Sequence, residues 1–234
     1  MSYDGAADPF AADGGLDLET SIVERARACG IEPTPAAVAG LATHARWVLR
    51  KNAELKLTAI TAPAEFVERH IGESLEGASL LPPEVRGLLL DLGSGNGYPG
   101  LAIALARPGL TPVLAEASSE KAAFLRGVLE AVAPDGRVLE VRVDRPNALV
   151  NLPALSVLVT RAAGGWEKIV PRLARNLSDA GRALIWAGCE MESIMKRDAW
   201  RRFTPVERHA LPGREASWVW VFAPARPRLR QLRR

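Results

Sequence analysis

The feature that most constrains this chain is a glycine-rich loop at residues 91–100, which reads DLGSGNGYPG. The apolar run at residues 87–92 that leads into it is typical of a buried strand in a parallel sheet. Pro99 has the backbone angle preferred in the first turn of a helix, so we expect a helix to follow. A strand, a glycine loop and a helix in this order present free backbone N–H groups to a ligand. The loop therefore predicts an α/β fold that binds a ligand at the carboxyl ends of its strands.

Three classes of ligand can be compared for this loop. A P-loop for nucleoside triphosphates requires a lysine after its glycines, and none is present here. The dinucleotide pattern GxGxxG is satisfied by Gly95, Gly97 and Gly100, although this pattern alone is weakly specific. Asp91 would repel a pyrophosphate but could accept a hydrogen bond from the ammonium group of S-adenosylmethionine. Glu116, 25 residues later at the end of the next predicted strand, could bind both hydroxyls of a ribose. S-adenosylmethionine is therefore the predicted cofactor, while a nicotinamide dehydrogenase and a glycine turn without a ligand stay open.

The rest of the chain predicts how the loop is embedded. Residues 85–225 alternate short apolar runs with amphipathic helical segments, which predicts a mostly parallel sheet with helices on both faces. Before them, apolar residues at three- and four-residue spacing predict helices near residues 18–28, 35–51 and 63–75. A helix is also predicted at residues 190–200, within the alternating region. Together with the loop, this organisation predicts an α/β fold of the Rossmann-like, class I methyltransferase type. We expect a mostly parallel seven-stranded sheet with an N-terminal helical segment.

Four regions follow from these patterns. They are a disordered lead at residues 1–16, an N-terminal helical segment at 17–84, an S-adenosylmethionine-binding methyltransferase domain at 85–225 and a basic tail at 226–234. Residues 1–35 carry seven acidic and two basic side chains, whereas the chain from residue 196 onward carries three acidic and eleven basic ones. This asymmetry permits a polyanionic partner at the basic end, although a solvated tail explains it equally well.

The composition also argues against several classes of protein. No apolar run reaches the ~18–20 residues that span a bilayer. The acidic, Gly- and Ala-rich start lacks the basic and apolar regions of a secretory signal. Cys29 and Cys189 are far apart and match neither a zinc site nor a disulfide framework. We therefore expect a cytoplasmic protein that contacts no membrane and holds no metal.

Several segments of the chain resemble the RsmG family of bacterial methyltransferases, also called GidB. The loop resembles the DxGxGxGxPG loop of that family, and the segment around Glu116 resembles its acidic residue followed by a helix with the pattern K/R-x-x-FLR. Two upstream segments resemble its asparagine-leucine-threonine and RHxxDS motifs, and a later one resembles its Ser-Arg-Ala motif. The matching segments are residues 57–60, 69–75, 91–100, 114–126 and 160–162.

The resemblance implies a methyltransferase that modifies N7 of a guanine in 16S ribosomal RNA. Its expected partner is 16S rRNA or the small ribosomal subunit, and we expect a monomer. Guanine N7 carries a lone pair and no proton, so positioning rather than a general base should provide most of the rate. The expected cofactor-binding residues are Asp91, Gly93, Ser94, Gly95, Gly97, Tyr98, Pro99, Glu116, Ala117, Asn147 and Arg161. The catalytic candidates on the RNA side are Arg161, His70 and Arg145, with Arg69 as a further contact.

The chain departs from the family pattern at four positions. Lys56 stands where the family usually has asparagine, Glu73 replaces an aspartate, and Asn147 replaces an acid. Ala187, before Gly188, replaces a lysine beside the active site, and an alanine cannot contact a phosphate or a base. Two further hypotheses therefore stay open. The chain could be a class I methyltransferase for a small molecule or a protein, or a cofactor-binding paralogue without rRNA activity.

Some candidate side chains also have a structural interpretation. Arg161 could form a buried ion pair with Glu73, and His70 could be a hydrogen-bonded histidine between the helical segment and the sheet. Trp166 could stack on a base or on adenine, but core packing is the favoured interpretation. Tyr98 could stack on a base or on adenine, but it could equally be an ordinary loop residue.

Overall fold

The computed structural model describes residues 8–11, 17–142, 149, 151–161 and 164–225. Within these residues, seven strands form one sheet in the order β3-β2-β1-β4-β5-β7-β6. The strands are β1 Gly87–Leu92, β2 Leu110–Glu116, β3 Arg137–Glu140, β4 Leu155–Arg161, β5 Leu177–Ala187, β6 Phe203–Ala210 and β7 Trp218–Pro224. Strands β1 to β5 are parallel, whereas β7 is antiparallel to both β5 and β6. The predicted fold class is confirmed, and the strand order reverses between β1 and β4.

Helices flank this sheet and precede it. The described α-helices are α1 Leu18–Ala28, α2 Pro35–Leu55, α3 Pro63–Phe66, α4 Glu73–Ser79, α5 Gly100–Ala106, α6 Ser119–Val132, α7 Trp166–Leu173 and α8 Glu190–Ile194. Side chains of Asp17, Thr34 and Ser118 accept hydrogen bonds from first-turn N–H groups of α1, α2 and α6. None of the described helices combines the length and the apolar character needed to cross a membrane.

Two predicted helices differ from the observed ones. The helix predicted at residues 63–75 extends to Ser79 and contains a π-helical turn, Val67–Gly72, between α3 and α4. A periodicity of 3.6 residues cannot reveal this turn, because an extra residue enters an otherwise continuous helix. The helix predicted at residues 190–200 is the shorter α8, which is followed by a 3-10 turn, Asp198–Arg202.

Hydrophobic side chains fill the space on both faces of the sheet. Consecutive residues of a strand point to opposite faces. Leu89 of β1 accordingly packs in a cluster with Leu41 of α2 and Leu125 of α6. Leu90 packs in the second cluster with Ile169 of α7. The N-terminal helices therefore share a core with one face of the sheet.

Residues 8–11 pack against this core although they belong to the predicted disordered lead. Phe10 is 1% exposed, and its ring meets the ring of Phe66 edge to face with 5.8 Å between the centroids. Asp8 Oδ2 accepts a hydrogen bond of 2.8 Å from Arg46 Nε. The Arg46 guanidinium also binds Glu19 of α1. A buried aromatic ring and an ion pair hold these four residues in place, so the prediction of disorder does not hold for them.

Glu73, the first residue of α4, joins the helical segment to the sheet. Its Oε1 atom accepts hydrogen bonds from Arg69 Nε at 3.1 Å and from Arg214 Nη1 at 3.0 Å. Its Oε2 atom lies 3.4 Å from Arg161 Nη1. The three guanidinium groups come from the π-helical turn, the end of β4 and the turn between β6 and β7. One buried carboxylate therefore connects three separate segments of the chain.

Glu76, one turn later in α4, makes a second connection of this kind. Its Oε1 atom accepts a hydrogen bond of 2.7 Å from Arg25 Nη2 of α1. Its Oε2 atom lies 2.9 Å from His209 Nε2 of β6. The same short helix is thus tied to α1 on one side and to the last hairpin of the sheet on the other.

The packing of Phe10 predicts a measurable contribution to stability. Phe10→Ala should lower the free energy of unfolding in urea by about 3 kcal/mol, because a buried ring is lost and a cavity is left. The control is Val206→Ala, at a side chain that is 53% exposed. It should change stability by less than about 1 kcal/mol. Similar effects of the two variants would contradict the packing of residues 8–11.

The contacts of Glu73 lead to a second prediction for stability. Glu73→Gln removes the negative charge between three guanidinium groups and should lower the free energy of unfolding by about 3 kcal/mol. Glu65→Gln is the matched control. The Glu65 side chain is 54% exposed and lies 4.0 Å from Arg69. This variant should cost less than about 0.5 kcal/mol, and an equal effect of both would count against the connecting role of Glu73.

Candidate active site

Three charged residues meet at the carboxyl edge of the sheet. Asp91 lies near the end of β1, Glu116 ends β2 and Arg161 ends β4. Because β1 pairs with both β2 and β4, these residues lie where the strand order reverses. Ligands of open α/β sheets bind at this position. The fold thus brings together the acids and the arginine that the sequence predicts for the site.

The glycine loop connects β1 to α5 and is tied to β2. Gly93, Gly95 and Gly97 have φ values of 75°, 55° and 93°. Side chains disfavour such angles, so glycine is required there. The backbone N–H groups of Gly93 and Ser94 both donate to Ala115 O, at 2.9 and 3.0 Å. The loop is therefore held in one conformation at the crevice between the two strands.

Asp91 is fully buried, and one of its carboxylate oxygens lacks a partner. Oδ2 accepts a hydrogen bond of 3.0 Å from Gly100 N, the residue after Pro99. A Cβ atom at Gly100 would collide with the Asp91 side chain. Within the described part of the chain, Oδ1 is buried without a hydrogen-bond partner. Burial raises the pKa of Asp91 to about 7. A buried, unpaired carboxylate oxygen is a suitable acceptor for a cationic group of a ligand.

Glu116 binds the backbone on both sides of the crevice. Its Oε2 atom accepts a hydrogen bond of 2.8 Å from Gly95 N. Its Oε1 atom accepts hydrogen bonds of 2.8 Å from the N–H groups of Ala117 and Ser118. The carboxylate has about four acceptor positions, so it can still accept a hydrogen bond from a ligand hydroxyl.

Tyr98 belongs to the loop, but its side chain is buried beneath the loop backbone and does not form the surface of the crevice. Its side chain is 3% exposed. The ring stacks on His44 at 4.3 Å and on His70 at 5.1 Å, and the ring of Phe66 meets it edge to face. His44 Nε2 in turn donates to Asn96 O at 2.7 Å. Packing accounts for the position of Tyr98, and its contact with a cofactor or a base stays a prediction.

Arg161 and His70 hold each other in place. Arg161 Nη2 donates to His70 Nδ1 at 2.9 Å, so the proton of the neutral ring lies on Nε2, which donates to Thr58 Oγ1 at 2.8 Å. Burial and, after it, the charge of Arg161 lower the pKa of His70 to about 3. Arg161 Nη1 also donates to Arg69 O at 3.0 Å. The structural roles considered for both residues, the ion pair with Glu73 and the hydrogen-bonded interface histidine, are therefore present.

A cavity of about 450 Å³ opens beside Arg161. Its volume falls in the range of small-ligand sites. Three guanidinium groups, two indole rings and two carboxylates are among the groups that line it, from Arg69, Arg161, Arg214, Trp166, Trp186, Glu73 and Glu190. Arg214 and Glu190 carry no local sequence signal that identifies them, because Arg214 reaches the cavity only through the folded hairpin and Glu190 only through the end of β5.

Two of the departures from the family pattern, Ala187 and Lys56, lie at the ends of secondary-structure elements. Ala187 ends β5 and lines the cavity, where Arg214, with a side chain that is 35% exposed, provides a cation. Lys56 follows the last residue of α2 and has a left-handed conformation with φ of 48°. Asparagine adopts this conformation more readily than lysine. The change at residue 56 therefore concerns a helix end.

Two predicted site residues, Arg145 and Asn147, lie outside the described residues. Among the residues that are described, no group of three or more His, Cys, Asp or Glu side chains is arranged to hold a metal.

Comparisons with known proteins show the family to which this chain is related. Residues 38–205, which include the whole glycine loop, match the family model for rRNA small subunit methyltransferase G, GidB. A ribosomal RNA small subunit methyltransferase G from Anaeromyxobacter dehalogenans (strain 2CP-C) is 36% identical over 167 residues, which are 70% of this chain and 76% of that protein. A protein of the same name from Sorangium cellulosum (strain So ce56) is 31% identical over 196 residues, covering 82% of this chain and 81% of its own.

A solved structure extends the comparison to the fold. A predicted O-methyltransferase from Agrobacterium tumefaciens is 27% identical, with a TM-score of 0.51, and the match covers 63% of this chain and 78% of that one. The family model matches more than half of the chain, and the two relatives are 36% and 31% identical over 70% and 82% of it. The chain belongs to the rRNA small subunit methyltransferase G family.

Proposed function

We propose that this protein transfers a methyl group from S-adenosylmethionine to N7 of a guanine in 16S ribosomal RNA. The observation that carries the proposal is the buried, unpaired Oδ1 atom of Asp91, at a sheet edge that also has an arginine-lined cavity. An unpaired carboxylate suits the ammonium group of the cofactor. Guanidinium groups suit the phosphates of RNA and the acceptor atoms of guanine. The name of the family supports the same substrate.

The cofactor would be held by the glycine loop and the two acids that flank it. Asp91 Oδ1 would accept a hydrogen bond from the ammonium group, and Glu116 would accept hydrogen bonds from the ribose hydroxyls. S-adenosylmethionine supplies an electrophilic methyl group when it is bound. The rigid loop contributes by fixing the orientation of the ligand relative to the cavity. The full proposed set is Asp91, Gly93, Ser94, Gly95, Gly97, Tyr98, Pro99, Glu116, Ala117, Asn147 and Arg161.

The acceptor side requires orientation and no proton transfer. Guanine N7 has no proton to lose, and both nitrogen atoms of the neutral His70 ring are engaged in hydrogen bonds. We therefore assign positioning roles to His70 and to Arg161, whose side chain is only 17% exposed. Arg69 and Arg214, at 34% and 35% exposure, are the groups that an RNA phosphate could reach. Arg145 is proposed as a further RNA contact.

The proposal extends to the organisation of the protein. The helical segment at residues 17–84 would be an accessory part that supplies Arg69 and His70 to the acceptor side of the domain at residues 85–225. The protein would act as a cytoplasmic monomer on 16S rRNA or on the small ribosomal subunit, with the basic tail at residues 226–234 available to RNA phosphates.

Methyl transfer to a small molecule is the second candidate function. Ala187 favours it, because the cavity wall has an apolar side chain at that position. RNA labelling distinguishes the two candidates, since a small-molecule enzyme would bind the cofactor and leave RNA unlabelled.

The proposed activity predicts labelling of the small ribosomal subunit. Pure protein with S-adenosylmethionine labelled in its methyl group should transfer label to 30S subunits or 16S rRNA from cells that lack the gene. Nucleoside analysis should identify the product as 7-methylguanosine. Asp91→Asn should reduce the transfer at least ~10-fold, because a charged hydrogen bond to the cofactor is lost. The matched control Asp179→Asn, at an exposed residue of β5, should remain fully active. Cofactor binding without RNA labelling would exclude the rRNA substrate.

The raised pKa of Asp91 predicts that cofactor binding depends on pH. The ionised carboxylate binds the ammonium group, and protonation below pH 7 removes this acceptor. The Kd for S-adenosylmethionine, measured by calorimetry, should therefore rise roughly eightfold between pH 7.5 and pH 6.0. Asp91→Asn should bind more weakly, with little change over the same interval, whereas Asp179→Asn should keep the full dependence. A Kd for the unaltered protein that stays constant over this interval would contradict the role of Asp91.

A further inference from the structure

We propose that Glu190 recognises the acceptor base as guanine, by accepting hydrogen bonds from its N1–H and its exocyclic N2 amino group. This inference rests on the proposed function, because it concerns the base that would enter the cavity beside Arg161. Glu190 would determine the specificity for the base, in addition to the arginines that would hold the RNA.

Glu190 is the carboxylate with acceptor capacity left in the cavity. Among the described residues that line the cavity, Glu73 and Glu190 carry carboxylates. Glu73 is only 6% exposed in its side chain and binds three guanidinium groups. Glu190 is exposed, and within the described chain no cation lies at ion-pair distance from it. Its charge is therefore available to a ligand.

The backbone at Gly188 holds the carboxylate of Glu190. Oε1 accepts a hydrogen bond of 2.9 Å from Gly188 N. A Cβ atom at Gly188 would lie only 2.5 Å from Oε2, so the carboxylate lies directly across this glycine. Gly188 leaves room for the carboxylate and also provides the donor that orients it. One oxygen is thus fixed, and the acceptor capacity of the other is left for a ligand.

The position of the methylated atom limits which edge of the base can be recognised. An enzyme that methylates N7 needs this atom free for the methyl group, so the base has to be recognised at another edge. The Watson–Crick edge of guanine presents two neighbouring donors, N1–H and the N2 amino group, which match an anionic acceptor. Adenine presents the unprotonated N1 atom at the same place, which a carboxylate repels. Enzymes that act on an extruded base use this edge for recognition.

The same cavity provides an aromatic surface on which a base could stack. Trp166 is partly exposed and lines the cavity with Glu190. Its ring meets that of Trp200 edge to face at 5.8 Å, and Trp200 Nε1 donates to Glu167 O at 3.0 Å. The indole of Trp166 is thereby supported on its inner side. An extruded base could stack on it, while its polar edge reaches the carboxylate.

The test compares Glu190→Gln with Glu192→Gln. Glu192 is a neighbouring exposed glutamate that pairs with Arg208 at 3.0 Å and does not line the cavity. The first readout is kcat/KM for methyl transfer to 30S subunits. The second is binding of GMP, IMP and AMP to the full chain, followed by tryptophan fluorescence. These nucleotides share the ribose phosphate and differ only in the base, so a ratio of their affinities reports recognition of the base.

We expect Glu190→Gln to lower kcat/KM by ~10- to 100-fold, as for the loss of charged hydrogen bonds to a base. The unaltered protein should bind GMP at least ~10-fold more tightly than AMP, with IMP between them because it lacks the N2 amino group. Glu190→Gln should abolish this order, and Glu192→Gln should keep it. Gly188→Ala, which displaces the carboxylate, should reproduce the loss.

Two results would overturn the inference. One is a Glu190→Gln variant that keeps the preference for GMP. The other is a variant that loses affinity for GMP and AMP equally, since this would indicate a general change of the cavity. A failure of the proposed function is a different result, in which the unaltered protein transfers no methyl group to 30S subunits. The nucleotide ratios still test Glu190 in that case.

Discussion

The cavity beside Arg161, which is the proposed acceptor site, depends on the ion pairs of Glu73. One buried carboxylate binds guanidinium groups from the π-helical turn, from the end of β4 and from the turn between β6 and β7. Without it, three cations would lie close together with no charge between them, and the segments that carry them would repel one another. Arg161 in turn holds His70 at 2.9 Å, and His70 stacks on Tyr98 beneath the glycine loop. The acceptor cavity and the loop are therefore linked through a short series of direct contacts.

Burial shifts the pKa values of Asp91 and His70 in opposite directions. It raises the pKa of Asp91 to about 7 and lowers the pKa of His70 to about 3, because in each case the charged form loses its hydration. The consequences differ. The raised value marks a carboxylate that gains from a cationic ligand, whereas the lowered value keeps an imidazole neutral so that it can accept a hydrogen bond from arginine. A methyl transfer to an atom without a proton requires no more of the histidine than this.

The parts of the fold that could be predicted depend on local patterns. The loop at residues 91–100 and the acid of Glu116 could be recognised because turns that need positive φ require glycine and because strands alternate with helices. For Arg161 the sequence permits two interpretations, an RNA contact and an ion pair with Glu73, and the structure contains the ion pair. Other features depend on contacts between distant residues. The burial of Phe10 requires Phe66, and Arg214 reaches the cavity only when β6 and β7 pair. The π-helical turn that carries His70 is hidden because the extra residue in an otherwise continuous helix has no sequence signature of its own.

The origin of the three arginines has a consequence for the order in which the two halves of the site can form. The proposed cofactor crevice is formed by the glycine loop, Glu116 and Arg161, whereas the cavity beside it also needs Arg69, earlier in the chain, and the hairpin with Arg214, later in the chain. A nascent chain that has not reached this hairpin could assemble the crevice but would leave Glu73 with two of its three cations. Contacts between such distant positions also cost more loop-closure entropy than local ones. Competence to bind the cofactor would therefore precede competence to accept a substrate during synthesis.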